Sequence, residues 1–213
     1  MHTFCVRTHH ATSCHCIVNL LQYRQKAELG DYGSFTMTIY EDGTMDYEAD
    51  IKLANQLFSS GATRKYHLHS GFLGNDATVG AKTPGDDTSG VCGGSFTLGH
   101  YDPFEACGPA STATKTPPEG GTSCTPVENY CSDKSDSVLV NGQAADACEV
   151  GDLSGRFGAL PTTKTFTITK KGVNCPGCYD DYVGTENASY KTWGSIVFHN
   201  GSPRVLCGNL VEV

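Results

Sequence analysis

Residues 34–51 read Ser34-Phe35-Thr36-Met37-Thr38-Ile39-Tyr40, then Glu41-Asp42-Gly43-Thr44, then Met45-Asp46-Tyr47-Glu48-Ala49-Asp50-Ile51. The first and last runs alternate apolar and polar side chains. Successive side chains of a strand point to opposite faces, so each run offers one face to a core and one to water. Between them stands Asp42-Gly43, the pair that supplies the backbone conformations of a tight turn. The stretch predicts an antiparallel hairpin with one buried face.

The same pattern recurs on either side of it. Ile17 to Tyr23 reads as a first strand, Lys65 to Ser70 as another, and Thr163 to Lys170, Ser195 to His199 and Arg204 to Val213 as late strands. Gly71 to Val91 is a Gly/Asp/Thr loop. Phe104 to Cys148 has little periodicity and carries Cys107, Cys124, Cys131 and Cys148, so it reads as a long loop pinned by disulfides. Residues 1–16 read as an N-terminal tail and residues 17–213 as one β domain. Short strands separated by turn residues, with 25 glycines in 213 residues, fit a sandwich or small barrel.

The formal charge of −8 and the lack of a basic stripe exclude a nucleic-acid binder. No run approaches the roughly 18 apolar residues of a membrane span. Met1–Cys16 lacks the apolar stretch of a signal peptide. Eleven cysteines favour disulfides and an oxidising, extracellular compartment. Asn187-Ala188-Ser189 and Asn200-Gly201-Ser202 are glycosylation sequons, the second followed by Pro203.

The eight histidines divide into two groups. His2, His9, His10 and His15 lie in the tail. His67-Leu68-His69 places two imidazoles on one face of a strand, with Lys65 on that face and Tyr66 and Leu68 on the other. Alone, that pair would more often be two surface histidines. His100 stands in a turn-like context, and His199 closes the apolar run Ile196-Val197-Phe198. Four imidazoles with nothing softer suit Cu(II) or Zn(II). A blue-copper centre would need a cysteine ligand and usually a nearby methionine, and the only methionines are Met1, Met37 and Met45.

His67-Leu68-His69, Gly99-His100, Val150-Gly151-Asp152-Leu153, His199 and Arg204-Val205-Leu206-Cys207-Gly208 together resemble the copper–zinc superoxide dismutase family in order and context. The resemblance covers roughly residues 17–213. It implies an all-β fold, an eight-stranded antiparallel Greek-key β-barrel of immunoglobulin-like sandwich type. It implies copper ligands at His67, His69, His100 and His199, an anion-guiding arginine at Arg204, and a disulfide between Cys92 and Cys207. The implied activity is disproportionation of superoxide to oxygen and hydrogen peroxide, with one copper ion alternating between Cu(I) and Cu(II).

The departures from the family pattern are equally informative. No histidine lies between His100 and His199, and Glu149 stands where zinc-containing members have a zinc ligand. Asp152 remains, but zinc wants about four tight ligands. Only Asn200-Gly201-Ser202-Pro203 separate His199 from Arg204, too few for the family's electrostatic loop. Both losses resemble the copper-only branch, so the chain is expected to hold copper without zinc in an open site. Glu149 is then the candidate to orient His100 through its far ring nitrogen, with Asp152 behind the ligands. The Cys107-Gly108-Pro109-Ala110 stretch resembles repeat-protein relatives, which makes neighbouring repeats of a longer chain expected partners besides superoxide. Cys175-Pro176-Gly177-Cys178 reads as a small closed loop, and Cys14-His15-Cys16 with Cys5 as an adventitious metal binder. The alternatives are a non-enzymatic extracellular copper-binding or structural protein on the same barrel, a copper-delivery or storage protein, and a zinc-retaining dismutase, which would need further ligands.

Overall fold

A computed structural model of the chain describes residues 3–6, 15–18, 22–52, 54–74, 77–81, 90–102, 139–140, 143–144, 149–175, 178–179 and 193–213. Its strands are β1 (Thr3–Val6), β2 (His15–Val18), β3 (Gln22–Glu28), β4 (Gly33–Tyr40), β5 (Thr44–Ile51), β6 (Arg64–His69), β7 (Val79–Ala81), β8 (Leu139–Val140), β9 (Gln143–Ala144), β10 (Phe166–Asn174), β11 (Ser195–Asn200), β12 (Arg204–Asn209) and β13 (Val211–Glu212). Among the described residues the helices are single turns, α1 (Ala54–Leu57), α2 (Gly94–Thr97) and α3 (Leu153–Phe157), with a 3-10 turn at Gly30–Tyr32. Among the described residues no helix is long and apolar enough to cross a membrane.

The hairpin at the centre of the sequence is β4–β5, paired from Gly33↔Ile51 to Ile39↔Met45. Asp42 builds its turn by accepting from the Thr44 N–H at 2.9 Å and the Thr44 hydroxyl at 2.7 Å. Gly43 sits at φ +80°, a conformation a side chain would resist. Phe35, Met37, Ile39, Met45, Tyr47, Ala49 and Ile51 all face inward and are buried, as the alternation requires.

Two antiparallel sheets pack over this core. One has the order β10-β5-β4-β3-β13, the other β6-β11-β12-β7. The second sheet turns Tyr66, Leu68, Ile196, Phe198 and Leu206 toward the first. The hydroxyls of Tyr47 and Tyr66 meet at 2.9 Å in the core, so each buried hydroxyl has a hydrogen-bond partner. Its opposite face carries His67, His69 and His199, with Val197, Cys207, Cys92 and Leu73 in a small second apolar cluster.

Several boundaries differ from the sequence reading. The stretch expected as one strand over Ile17–Tyr23 is divided between β2, which pairs with β1, and β3, which joins the large sheet. The β1–β2 ribbon straddles the boundary drawn after residue 16. The last strand is also divided. β12 pairs with β11, whereas β13 pairs with β3 in the other sheet, because the chain crosses between sheets at the buried Leu210. The Gly71–Val91 loop contains β7, an edge strand beside β12. Of the long 104–148 segment, β8 and β9 lie within the described residues and pair with each other. The Asn187 sequon and Cys107, Cys124, Cys131 and Cys148 lie outside them. Asn200 is buried, with its side-chain amide bonded to Ser59, so this second sequon does not present its nitrogen to solvent. Disulfides join Cys92 to Cys207 and Cys175 to Cys178.

Candidate metal centre

Strand β6 supplies two of the histidines, and its register fixes a third. His67 lies opposite Val197 and His69 opposite Ser195, while His199 lies opposite Lys65. Paired residues share a sheet face, so His67, His69 and His199 emerge on the same side. His100 reaches them from the segment after α2 through an isolated bridge to His69.

One potential ligand atom each from His67, His69 and His100 lies within 4.8 Å of the others, a group that could hold a metal ion. His199 is not part of that tight group, yet its ring centroid is 4.7 Å from that of His67 and 5.7 Å from that of His69. The His67 and His100 centroids are 4.0 Å apart. Such crowding of imidazoles is unfavourable if they are charged.

Each ring is anchored through one nitrogen. His69 Nδ1 bonds the Leu98 carbonyl at 3.0 Å, and His199 Nδ1 bonds the Ser202 carbonyl at 3.1 Å. His67 Nε2 lies 2.9 Å from the Ser154 hydroxyl and 3.2 Å from Asp152 Oδ1. His100 Nδ1 bonds Glu149 Oε2. Carbonyls and carboxylates accept, so these nitrogens carry the hydrogens and the other nitrogen of each ring keeps its lone pair. Those other nitrogens on three rings, His67 Nδ1, His69 Nε2 and His199 Nε2, are buried with no hydrogen-bond partner among the described residues.

The electrostatics agree. Burial holds His67 down at about 4 and His199 at about 3, and it takes His69 well below its usual value. The rings are therefore neutral near pH 7, the state a metal ligand needs. Burial would raise the Asp152 carboxyl, but the His67 hydrogen bond and charge and the Gly155 N–H outweigh it and set it at about 2.

The carboxylates are carried by one loop lashed to β6. Leu68 N–H donates to the Gly151 carbonyl at 2.9 Å, Gly151 N–H to the Tyr101 carbonyl at 2.8 Å, and Tyr101 N–H to the Leu68 carbonyl at 2.8 Å. Only glycine permits that approach: a Cβ on residue 151 would lie 2.6 Å from the Leu68 carbonyl oxygen. Asp152 also caps α3 by accepting from Gly155 N–H at 2.8 Å. Arg204 is half-buried at the start of β12. Its guanidinium donates to the carbonyls of Cys92 at 3.2 Å and Leu98 at 2.9 Å, and to the Thr97 hydroxyl. Leu98 therefore serves both His69 and Arg204. It does so at φ 59°, ψ −151°, a region that residues other than glycine rarely enter.

The fold thus brings His67, His69, His100, His199, Glu149, Asp152 and Arg204 together, with Cys92 and Cys207 bonded beside them. Glu149 and Asp152 serve different rings, His100 and His67. The sequence reading missed Ser154, Leu98 and Ser202. Ser154 follows closely on Asp152 and was open to notice; the other two act through backbone carbonyls, which leave no mark in side-chain identity. The orphaned ring nitrogens fit a metal that takes imidazole, and the absence of thiolate and thioether donors from the cluster fits copper(II) or zinc.

No protein-family model and no curated protein sequence matches the chain. Among solved structures, a glutamate-to-alanine mutant of superoxide dismutase 5 from Candida albicans is similar over 90% of this chain and 89% of that one, with a TM-score of 0.43 and 16% identity.

Proposed function

We propose that the chain is a copper-dependent, zinc-free superoxide dismutase, converting two superoxide ions and two protons to oxygen and hydrogen peroxide. His67, His69, His100 and His199 would hold one copper ion. The observation that carries this reading is the trio of buried ring nitrogens without partners, on one sheet face, each on a ring already anchored through its other nitrogen. Leaving a buried polar atom unsatisfied costs about 1–3 kcal/mol, a cost that a bound metal would remove.

Bound copper would supply one-electron exchange with superoxide. The residues do the rest. Glu149 takes the hydrogen bond from His100 Nδ1 and holds that ring in one orientation, leaving Nε2 to exchange a proton. Asp152 and Ser154 fix His67 in the tautomer with the hydrogen on Nε2. Arg204, still a cation although burial lowers its pKa, attracts the anionic substrate. Glu149 and Asp152 are each engaged by a histidine, which supports the zinc-free reading.

In this reading the two sheets are halves of an eight-stranded Greek-key barrel over residues 17–213, β12 and β13 counting as one strand shared between them, with residues 1–16 outside it. The run from Arg204 to Glu212, whose halves pair in different sheets, supports closure along that seam. The Cys92–Cys207 and Cys175–Cys178 disulfides support an extracellular setting.

The test is elemental analysis of protein reconstituted with copper and zinc together, paired with a superoxide assay. About one copper, negligible zinc and rapid superoxide decay are expected. Equal copper and zinc would replace the zinc-free reading. Bound copper without turnover would make the chain a copper-binding protein instead.

A further inference from the structure

The face that carries the histidines has one more charged side chain, which the ligand set does not use. Lys65 lies two residues before His67 on β6 and is exposed, while its neighbour Tyr66 is buried in the core. Lys65 pairs in register with His199, and His199 pairs on its other side with Arg204. Lys65, His199 and Arg204 therefore form one row across three strands, a histidine between two cations.

The two cations differ in how they are held. Arg204 is committed to Cys92, Thr97 and Leu98. Lys65 has no hydrogen bond or ion pair among the described residues. The carboxylates of Glu149 and Asp152 are buried and face His100 and His67.

We propose that Lys65 is a second anion-guiding residue of this centre, drawing small monoanions such as superoxide toward the histidine cluster from the side opposite Arg204. The proposal rests on the dismutase reading for its substrate. The chain carries a charge of −8, which repels anions, so a local excess of positive charge at the mouth has a disproportionate effect on approach. Two residues along a strand span about 7 Å. At that range in water, one unit charge changes the local concentration of a monoanion by about two- to three-fold.

The experiment uses the full chain reconstituted with copper, in wild-type form and as Lys65→Gln, Lys65→Arg and Lys65→Glu. Azide is titrated as the probe anion and followed by its absorption change on binding copper; superoxide decay is followed by pulse radiolysis. Lys65→Gln is expected to weaken azide binding and slow superoxide decay about two- to three-fold, Lys65→Glu about seven-fold, and Lys65→Arg to behave as the wild type. These differences should collapse at about 0.5 M salt, where screening shortens to a few ångströms. Azide binding that is equal in all four proteins at low salt, absent from the wild type, or weakened by an amount that survives high salt would overturn the role. Azide differences without superoxide turnover in any protein would remove the dismutase reading while leaving Lys65 as an anion guide.

Discussion

Replacing Gly151 with alanine tests how the centre is built. The added Cβ would lie 2.6 Å from the Leu68 carbonyl oxygen, 2.8 Å from the Tyr101 carbonyl oxygen and 2.9 Å from the Tyr101 nitrogen. All three are backbone atoms and cannot rotate away. An ordinary non-bonded approach is about 3.5 Å, so the loop must lift by about 0.9 Å. The Leu68-to-Gly151 and Gly151-to-Tyr101 hydrogen bonds, now 2.9 and 2.8 Å, would then pass out of bonding range. Two backbone bonds at about 1 kcal/mol each and a packing strain of about 1–3 kcal/mol give a loss of about 3–5 kcal/mol. The lift also carries Glu149 away from His100 and Asp152 away from His67, so copper retention should weaken with stability. Urea unfolding of the metal-free protein measures the first effect, and copper competition with a chelator the second. Gly94→Ala is the control, because its Cβ would meet nothing closer than Arg204 at 3.6 Å. If Gly151→Ala unfolds within about 0.5 kcal/mol of the wild type, as surface substitutions do, the reasoning is refuted.

Two further outcomes follow from the hydrogen-bond pattern and the burial of the rings. Glu149→Ala removes the anchor of His100 and should slow superoxide decay about 10-fold or more under pulse radiolysis, in line with the cost of losing a group that orients a metal-bound histidine; full activity would remove Glu149 from the mechanism. The metal-free protein should lose stability as pH falls from about 6.5 toward 4. His67 at about 4 and His199 at about 3 bind protons less readily folded than unfolded, so the stability present above 6.5 drains away as the unfolded chain is protonated first. His67 alone accounts for about 3 kcal/mol over that window. Asp152, at about 2, adds its own loss only below its ordinary 3.8. Urea midpoints that stay level between about pH 7 and pH 4.5 would show that the rings are not held neutral by burial.

The central hairpin was legible because its signal is local: alternation sets the buried face, and Asp42-Gly43 sets the turn. The pairing of His67 with His69 was legible for the same reason. What joins β6 to β11 is long-range register, and no local pattern states that His199 lies opposite Lys65. The crossing at Leu210 was hidden because Arg204 to Val213 keeps strand character throughout; the switch of sheets depends on what lies beside it, not on its own residues. Asp152 and Glu149 were recognisable as candidates, but their division between His67 and His100 follows from the loop's attachment at Gly151. Leu98 could not be read at all, since its role rests on a backbone conformation that its side chain disfavours.

The bond between Cys92 and Cys207 closes a covalent ring whose ends are 115 residues apart along the chain. His100, Glu149, Asp152, His199 and Arg204 ride inside that ring, while His67 and His69 lie outside it. An ion gripped by histidines from both sets spans the boundary, so ring closure and ion capture act on the same arrangement. Thermodynamic reciprocity then applies: the factor by which the closed ring tightens ion binding is the factor by which the ion protects the ring from thiols. Affinity of the cluster for the ion would therefore follow the thiol poise of the surroundings even at a constant supply of metal, and a reducing milieu would loosen the ion by that same factor without touching a single ligand.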